Sequence, residues 1–412
     1  MLSEWLQNKL KNARLAARNL ARQRKRTALA LGTVSGGVLA FLLAGGFINW
    51  IFHDMRESTI HSQLGHIQIT RPGYFERGIS DPYRYLLPAI DPALKTETTG
   101  AVALTPRLAF SGLLSKGDET ISFVGEGVDP EKEAPISRAI TIVQGQDLTM
   151  AGASTILLGE GLAANLGAKV GDSVVLLATT AEGGINAVEV TVAGIFATIT
   201  KAYDDSVLRA PISIARQLMR VEGATSWVML LARTEDTRAA MAQLTARLPP
   251  GEYELTPWSR LADFYNKTVE LFSKQLGVVR LLIALIVILS ISNTLSMSVI
   301  ERTSEIGTSM AIGVRRNGIL RLFLWEGALL GLIGGLVGIV GGVLIGQAIS
   351  SIGIPMPPPP GMARGYIGQI SISPGLALDG FLLAFVTTLL ASIFPAWKAS
   401  RMNVVDALRH QR

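Results

Sequence analysis

The stretch LFLWEGALLGLIGGLVGIVGGVLIGQAI, residues 322–349, decides what kind of protein this sequence encodes. Glu326 is its one charged residue, and the run exceeds the ~20 apolar residues that cross a bilayer as a helix. Three other runs of the same character are residues 28–52, 281–300 and 376–396. The fold class is therefore predicted to be membrane α-helical, with four transmembrane helices and a large domain in the longest gap.

The composition agrees with a chain that lies partly in the bilayer and partly in water. Of 412 residues, 17% are charged and 6% are aromatic, and the mean hydropathy is +0.37. Cysteine is absent, which excludes disulfides, thiolate catalysis, cysteine-ligated zinc and a lipid anchor on cysteine. The net charge is +6, and the basic residues flank the apolar runs, so the expected partner is membrane lipid and not nucleic acid.

The basic residues predict the orientation of the four helices. They cluster in residues 1–27, in the loop 301–321 and in the tail 397–412. The positive-inside rule places these three segments, and both termini, in the cytoplasm. The segment 53–275 and the loop 350–375 are then extracytoplasmic. The first apolar run is too long for the 7–15-residue core of a cleaved signal peptide.

The segment 53–275 has the pattern of a folded α+β domain, because β-like runs alternate with Gly, Pro and Asp and two helices are predicted. The strands are residues 66–70, 121–124, 173–177, 188–195 and 227–232, and the helices are 161–166 and 236–248. The strand-rich part, 116–220, is a candidate inserted subdomain. Apolar residues at helical spacing predict a stalk helix over 258–280, capped by Ser259 and continuous with the second transmembrane helix.

Motifs for nucleotide binding and hydrolysis are missing from the sequence. It lacks the phosphate-binding pattern G-x-x-x-x-G-K-[ST], and it lacks H-E-x-x-H and G-x-S-x-G. The chain is therefore predicted to be non-catalytic, with no cofactor or metal site of its own. Any energy for a driven process must come from another chain.

The loop after the second run carries a small apolar surface bordered by charge. Its sequence is ERTSEIGTSMAIGVRR, residues 301–316, and the apolar members are Ile306, Met310, Ile312 and Val314. A short amphipathic helix of this kind fits either a groove on a cytoplasmic partner or the membrane interface.

This loop, the helix after it and both termini resemble the FtsX/MacB-type ABC permeases, whose members include the LolC/LolE lipoprotein-release subunits. The family pattern E-R-x-x-E-I-G-x-x-x-A-x-G matches from Glu301 to Gly313. The ending PAWKASRMNVVDALR, residues 395–409, is similar to the family ending, although Val404 stands where proline is usual. Residues 17–27 resemble the family's entry into the first helix, and the resemblance in the large domain is looser.

The resemblance implies that the loop is a coupling helix seated in a cleft of a dimeric ABC ATPase, which carries ATP and Mg²⁺. The implied contact residues are Glu305, Ile306, Gly307, Met310, Ala311 and Gly313. It further implies a MacB-like periplasmic core domain over 53–275, a second permease copy or related permease, and a location in the bacterial inner membrane.

The third run contains chained G-x-x-x-G spacings, which let helices approach closely. The glycines are Gly327, Gly331, Gly334, Gly335, Gly338, Gly342 and Gly346. They predict helix packing, either within the subunit or between two permease copies.

Polar residues within the apolar runs need partners. Ser290, Asn293 and Thr294 share one face of the second helix, where they either line a cargo path or bond to neighbouring helices. Glu326 is expected to form a structural ion pair with Arg302, Arg321 or an amino-terminal arginine, and a role in proton transport is the alternative.

Three histidines and a proline run carry weaker signals. His53, His61 and His66 are close in sequence but fit no single helical face, so they are expected to be solvated or structural and not metal ligands. The prolines of residues 355–360 predict a stiff polyproline segment, which is either a cover over the outer ends of the membrane helices or a spacer.

Three functions are open at this stage. The first is transport of a hydrophobic or amphipathic cargo such as a lipoprotein, lipid or peptide, with a periplasmic carrier as a further partner. The second is signalling across the membrane to a periplasmic partner such as a cell-wall hydrolase. The third, a membrane-anchored enzyme, is disfavoured by the missing catalytic motifs.

Overall fold

The computed structural model describes residues 14–78, 82–88, 90, 100–149, 154–357 and 365–403. The chain divides into two compact units. The membrane unit comprises Met1–Phe52, Val269–Pro355 and Ile367–Arg412, and the β-rich unit comprises His53–Thr268 and Met356–Tyr366.

Four helices are long and apolar enough to cross a membrane. They are TM1 (Arg24–Thr59), TM2 (Asp263–Glu301), TM3 (Arg316–Ile352) and TM4 (Pro374–Ser400). An N-terminal helix over 14–22 precedes TM1, and a loop helix (Thr303–Ala311) joins TM2 to TM3. Ser373 is the N-cap of TM4, because its hydroxyl accepts a hydrogen bond from the Leu376 amide. Pro374 occupies the first turn of the helix.

A core of aliphatic side chains holds the membrane unit together. Val34, Val38 and Leu42 of TM1 are buried with Val287 and Ile291 of TM2 and with residues of TM3 and TM4. The segment between TM3 and TM4 forms two short paired strands, Ile354–Met356 and Tyr366–Gly368. Residues 358–360 of the predicted polyproline segment lie outside the described residues.

The β-rich unit is built on one mixed sheet of ten strands. The strands are β1 (Ile67–Thr70), β2 (Ala101–Lys116), β3 (Glu119–Val128), β4 (Thr141–Gly145), β5 (Thr155–Gly159), β6 (Ser173–Thr179), β7 (Ile185–Ala197), β8 (Val207–Pro211), β9 (Ser226–Leu231) and β10 (Glu254–Pro257). The order is β10-β1-β9-β2-β3-β8-β5-β7-β4, with β6 paired to β2 and β7. Two pairs, β3–β8 and β5–β7, are parallel, and the others are antiparallel.

Short helices connect and cover the strands. They are α1 (Pro130–Glu133), α2 (Glu160–Leu166), α3 (Lys201–Asp204), α4 (Ile212–Met219), α5 (Thr237–Arg247) and α6 (Trp258–Leu261). Single turns of π- or 3₁₀-helix lie at Ile60–Leu64, Tyr74–Gly78, Pro82–Tyr85 and Thr234–Asp236. The predicted helices 161–166 and 236–248 correspond to α2 and α5.

All five predicted strand segments lie in the sheet, at β1, β3, β6, β7 and β9. The longest strand, β2, was not predicted. It contains Pro106 and Gly112, and its burial does not alternate, so it lacks the period of two that marks a strand. Because β2 pairs with β9 up to residue 107 and with β3 from residue 107 onward, one sheet runs through the proposed 116–220 boundary.

The predicted stalk helix is interrupted. Helix α6 ends at Leu261, and Ala262 has φ −82° and ψ 64°, outside the helical region. TM2 begins only at Asp263, and the Ser259 carbonyl accepts the Asn266 side-chain amide. The prediction of an unbroken helix from residue 258, capped by Ser259, is therefore wrong. The apolar residues keep their helical spacing across Ala262, although the backbone of Ala262 is not helical.

Candidate functional site

The loop helix is a well-defined element of the membrane unit. Arg302 is its amino-terminal cap, and the helix ends at Ala311 with Ile312 as its carboxy-terminal cap. The Gly313 amide donates to the Met310 carbonyl at 3.0 Å. Gly313 has φ +103°, a conformation that favours glycine. The chain then turns at this glycine toward the start of TM3.

Part of the apolar surface that the sequence predicts for partner binding is buried within this chain. Ile306 is 4% exposed and packs with Val299, Phe323 and Ala396 of this chain, and Met310 packs against the same cluster. Gly307 is buried as well. The prediction that Ile306 belongs to an exposed apolar surface is therefore wrong, whereas the implied contact of Ile306 and Gly307 with an ATPase stays a prediction. Ile306 and Met310 attach the loop helix to the ends of TM2, TM3 and TM4.

The exposed part of the loop is its carboxy-terminal tip. Ile312 is 81% exposed and Val314 is 44% exposed, beside exposed Ala311 and Gly313. Arg315 and Arg316 follow and are exposed too. Helical spacing in the sequence indicates this division into a buried face and an exposed tip. Ile306 and Met310 are four residues apart on one face of the helix, and Ile312 lies on another face. The tip is an apolar surface with a basic border.

Glu326 is paired inside the membrane unit. Its side chain is 2% exposed, and its Oε1 accepts Arg302 Nη1 at 3.0 Å and Asn19 Nδ2 at 2.8 Å. The structural ion pair with Arg302 is thus present, and Asn19 is a partner that the sequence did not reveal. Arg302 also approaches Glu305 at 3.4 Å, so one guanidinium joins the loop helix to TM3.

The polar residues of TM2 divide into two groups. Ser290 Oγ lies 3.4 Å from Thr33 Oγ1 of TM1, and Thr294 Oγ1 donates to the Ser290 carbonyl at 2.9 Å. Asn293 is exposed. Ser290 and Thr294 therefore bond within the chain, and only Asn293 of the proposed cargo-path residues presents its side chain outward.

The glycines of TM3 pack within the subunit. Gly327 and Gly331 contact TM4 at Ser392 and Thr388, and Gly334, Gly338 and Gly342 contact TM1 at Val34, Val38 and Leu42. Gly335 contacts Phe381, and Gly346 contacts Ile370. An intersubunit contact through the same glycines remains a prediction, and it would require this internal packing to open.

His61 and His66 are structural groups of the β-rich unit. The Nδ1 atom of His66 accepts the Leu231 amide at 3.0 Å, and Nε2 lies 3.0 Å from Thr234 Oγ1. The Nε2 atom of His61 lies 2.5 Å from Arg138 Nη2. Burial and the neighbouring His61 lower the pKa of His66 to about 4. Among the described residues, no group of three or more possible metal ligands comes together.

The β-rich unit contains a cluster of four charged residues, three of them buried, that no pattern in the sequence predicts. Glu133 contacts both Arg107 and Arg209, and Arg209 Nε also lies 3.3 Å from Glu126. Arg107, Glu133 and Arg209 are all at most 5% exposed. Burial would raise the pKa of Glu133, but the two arginines outweigh burial and hold it below its ordinary value. These residues come from β2, β3, α1 and β8, and no sequence spacing relates them.

Comparison with known proteins identifies the family. Residues 277–404 match the family model of the FtsX-like permease C-terminal region, and residues 27–247 match that of the MacB-like periplasmic core domain. The second match alone covers more than half of the chain. Both matched regions agree with the architecture of four membrane helices and a β-rich domain between the first two.

Curated relatives point the same way. The lipoprotein-releasing system transmembrane protein LolC of Neisseria meningitidis is 24% identical over 93% of this chain and 94% of its own length. The pyoverdine export ATP-binding/permease protein PvdT of Pseudomonas aeruginosa is 33% identical over 43% of this chain, and 25% of PvdT is covered. The macrolide export ATP-binding/permease protein MacB of Syntrophobacter fumaroxidans is 32% identical over 43% of this chain and 24% of its own length.

The fold and the matches define a multi-pass membrane permease with a MacB-like core domain between TM1 and TM2. The chain belongs to the FtsX/MacB-type family of ABC transporter permeases.

Proposed function

We propose that this chain is the non-catalytic permease subunit of an ABC system in the bacterial inner membrane. A dimeric ATPase, carrying ATP and Mg²⁺, binds the loop helix from the cytoplasm and moves it. The observation behind the proposal is the exposed tip of the loop helix, where Ile312 and Val314 stand in solvent beside Arg315 and Arg316. An apolar side chain that is 81% exposed on a short, well-anchored helix suits insertion into a groove.

The packing of Ile306 and the Arg302–Glu326 pair suit the same role. A helix that transmits force needs one face fixed to the membrane helices and another face free for the partner. Ile306 and Met310 provide the fixed face, and the tip provides the free one. The positive-inside rule supports a cytoplasmic position for this loop and for both termini.

A second permease, identical or related, is the proposed neighbour of TM2. The exposed residues Leu282, Ile286, Leu289, Asn293, Met297 and Ile300 recur every three or four positions and form one stripe. An asparagine amide at the centre of an apolar stripe is costly in lipid, and a polar residue at such a position often pairs with its equivalent on another helix. This stripe is therefore the proposed permease–permease contact.

The cargo is proposed to be a hydrophobic or amphipathic molecule, such as a lipoprotein, lipid or peptide. Its support is the family together with the length of the match to LolC, whose printed name is that of a lipoprotein-releasing protein. A periplasmic carrier is the expected recipient.

Purification of the tagged chain from its native membrane in mild detergent tests these proposals together. The expected result is a co-purifying ATPase, ATP hydrolysis by the complex, and no hydrolysis by the chain once the ATPase is removed. Co-purified lipids or lipoproteins would identify the cargo, whereas a cell-wall hydrolase in their place would indicate signalling. Hydrolysis that remains with the separated chain, or a complex without any ATPase, would overturn the proposal.

Cysteine crosslinking tests the TM2 stripe, because the chain has no cysteine of its own. Asn293→Cys is expected to form a covalent dimer if two identical copies meet at this stripe. The matched control is Leu390→Cys on TM4, where the side chain is 52% exposed. A dimer from the control but not from Asn293→Cys would place the contact elsewhere.

A further inference from the structure

The N-terminal helix and the start of TM1 present one polar face to TM2, TM3 and the loop helix. Asn19, Arg22, Gln23 and Arg26 occupy positions i, i+3, i+4 and i+7, which places them on one side of a helix. Backbone bonds from Gln23 to Asn19 and from Thr27 to Gln23 carry the helical pattern across the turn at residue 23. The four side chains, here called the polar clamp, therefore act from one continuous element.

Each side chain of the polar clamp contacts a different part of the membrane unit. Asn19 donates to Glu326 of TM3 at 2.8 Å, and Arg22 contacts Glu305 of the loop helix at 3.1 Å. The Gln23 side-chain oxygen accepts the Ser298 hydroxyl of TM2 at 3.1 Å. Arg26 forms a two-pronged ion pair with Glu301 at the end of TM2.

The contacts differ in strength. The Arg22–Glu305 pair is largely exposed, with side chains 79% and 52% accessible, so solvent and salt weaken it. Glu326 is 2% exposed and depends on Arg302 and Asn19 for its hydrogen bonds. The Arg26–Glu301 pair is intermediate, at 35% and 40%, but its two-pronged geometry fixes orientation. The strongest contacts of the polar clamp are therefore those with Glu326 of TM3 and with Glu301 at the end of TM2.

We propose that the N-terminal helix is a second transmission element: through the polar clamp, a displacement of the loop helix is passed to TM1 as well as to TM2 and TM3. This inference rests on the proposed ATPase partner of the loop. Without the clamp, TM1 contacts the other membrane helices through the aliphatic core and the 3.4 Å contact between Ser290 and Thr33, and this packing permits sliding. With the clamp, the amino-terminal end of TM1 follows the end of TM2, where Glu301 lies two residues before the loop helix.

The experiment measures ATP turnover per complex, using the ATPase complex isolated through a tag on this chain and reconstituted in lipid nanodiscs. The single reversals Arg26→Glu and Glu301→Arg are expected to change kcat by about five-fold or more, at unchanged ATPase content and KM for ATP. The double reversal restores the ion pair and is expected to return kcat to the wild-type value. Arg24→Glu, an exposed position next to the clamp, is the matched control and keeps the wild-type rate.

A reversible lock separates transmission from simple folding. In the Arg26→Glu background, Gln23→Cys and Ser298→Cys are joined by a short, reducible bis-thiol crosslinker that replaces the reach of the lost glutamine side chain, in a chain that has no other cysteine. Crosslinking is expected to restore kcat, and reduction of the crosslink is expected to remove it again.

Two results would overturn the inference and leave the proposed function standing. One is a wild-type kcat in both single reversals, and the other is a loss that neither the double reversal nor the lock repairs. If the wild-type chain binds no ATPase, the proposed function fails and the inference fails with it.

Discussion

Glu133 is the residue on which the buried charges of the β-rich unit depend. It neutralises Arg107 and Arg209, which are at most 5% exposed. Removing one member of a buried ion pair leaves an uncompensated charge, at a cost of about 3–5 kcal/mol. Glu133→Gln is expected to lower the free energy of unfolding of the domain 53–268 by about this amount, measured by urea denaturation.

The matched control is Glu131→Gln, two positions away in α1 and exposed. It is expected to change stability by less than about 0.5 kcal/mol. Equal effects from the two substitutions would show that the cluster adds little to the fold.

His66 is expected to make the free energy of unfolding of the domain 53–268 depend on pH. Its pKa falls from 6.5 to about 4 because the ring is buried and lies near His61. The unfolded chain then takes up a proton near pH 6.5 while the folded chain does not. The contribution of His66 to the free energy of unfolding is therefore fully present above pH 6.5 and decreases as the pH drops toward 4. The total decrease is about 3 kcal/mol.

Denaturation of the domain 53–268 at pH 7, 5.5 and 4.5 measures this loss. His66→Asn keeps an acceptor for the Leu231 amide and does not titrate, so its stability is expected to vary less over the same range. The pKa of His61 is lowered too, by burial and by Arg138, so part of the slope remains in the variant. An unchanged slope in His66→Asn would contradict the assignment.

At the scale of elements, the close packing of TM3 against TM4 depends on the absence of a side chain at Gly331. A Cβ atom on Gly331 would lie 2.1 Å from Thr388 Oγ1 and 3.0 Å from the Phe385 Cα atom. Since one neighbour is backbone, the helices must separate to admit a side chain. Gly331→Leu is expected to lower the midpoint of thermal unfolding of the detergent-solubilised chain by several degrees.

Gly36→Leu is the comparison, because a Cβ atom there meets nothing within 4 Å. It should leave the midpoint close to that of the wild type. Similar midpoints for the two variants would mean that TM3 and TM4 do not pack as closely as described.

Elements with a strong repeating pattern were predictable from the sequence, and those fixed by distant contacts were not. The four membrane helices follow from length and apolar content alone. The burial of Ile306 depends on Phe323 and Ala396, which approach only when TM3 and TM4 assemble. The pairing of Asn19 with Glu326 spans most of the chain, and the break at Ala262 lies inside an apolar repeat that continues unchanged.

At the scale of the whole molecule, the β-rich unit has its own cores. One contains Leu114, Leu176 and Leu208, and another contains Ile67 and Trp227. A chain limited to residues 53–268 is therefore expected to be soluble and folded, with a single cooperative unfolding transition. Circular dichroism and denaturation test this, and persistent aggregation of this and nearby boundaries would show that the domain needs the membrane helices.

The central claim is that an ATPase binds the tip of the loop helix, and one comparison tests it most directly. Ile312→Asp and Ile185→Asp change the same side chain at the same exposure of 81%, the first at the tip and the second in the β-rich unit. Placing an unpaired carboxylate in an apolar groove is expected to weaken ATPase binding at least about 100-fold, equivalent to ~3 kcal/mol. The measurement is the amount of ATPase that co-purifies with each tagged variant at equal expression. The expected result is loss of the ATPase from Ile312→Asp and full retention by Ile185→Asp. Full retention by both variants, with unchanged ATP turnover, would contradict it.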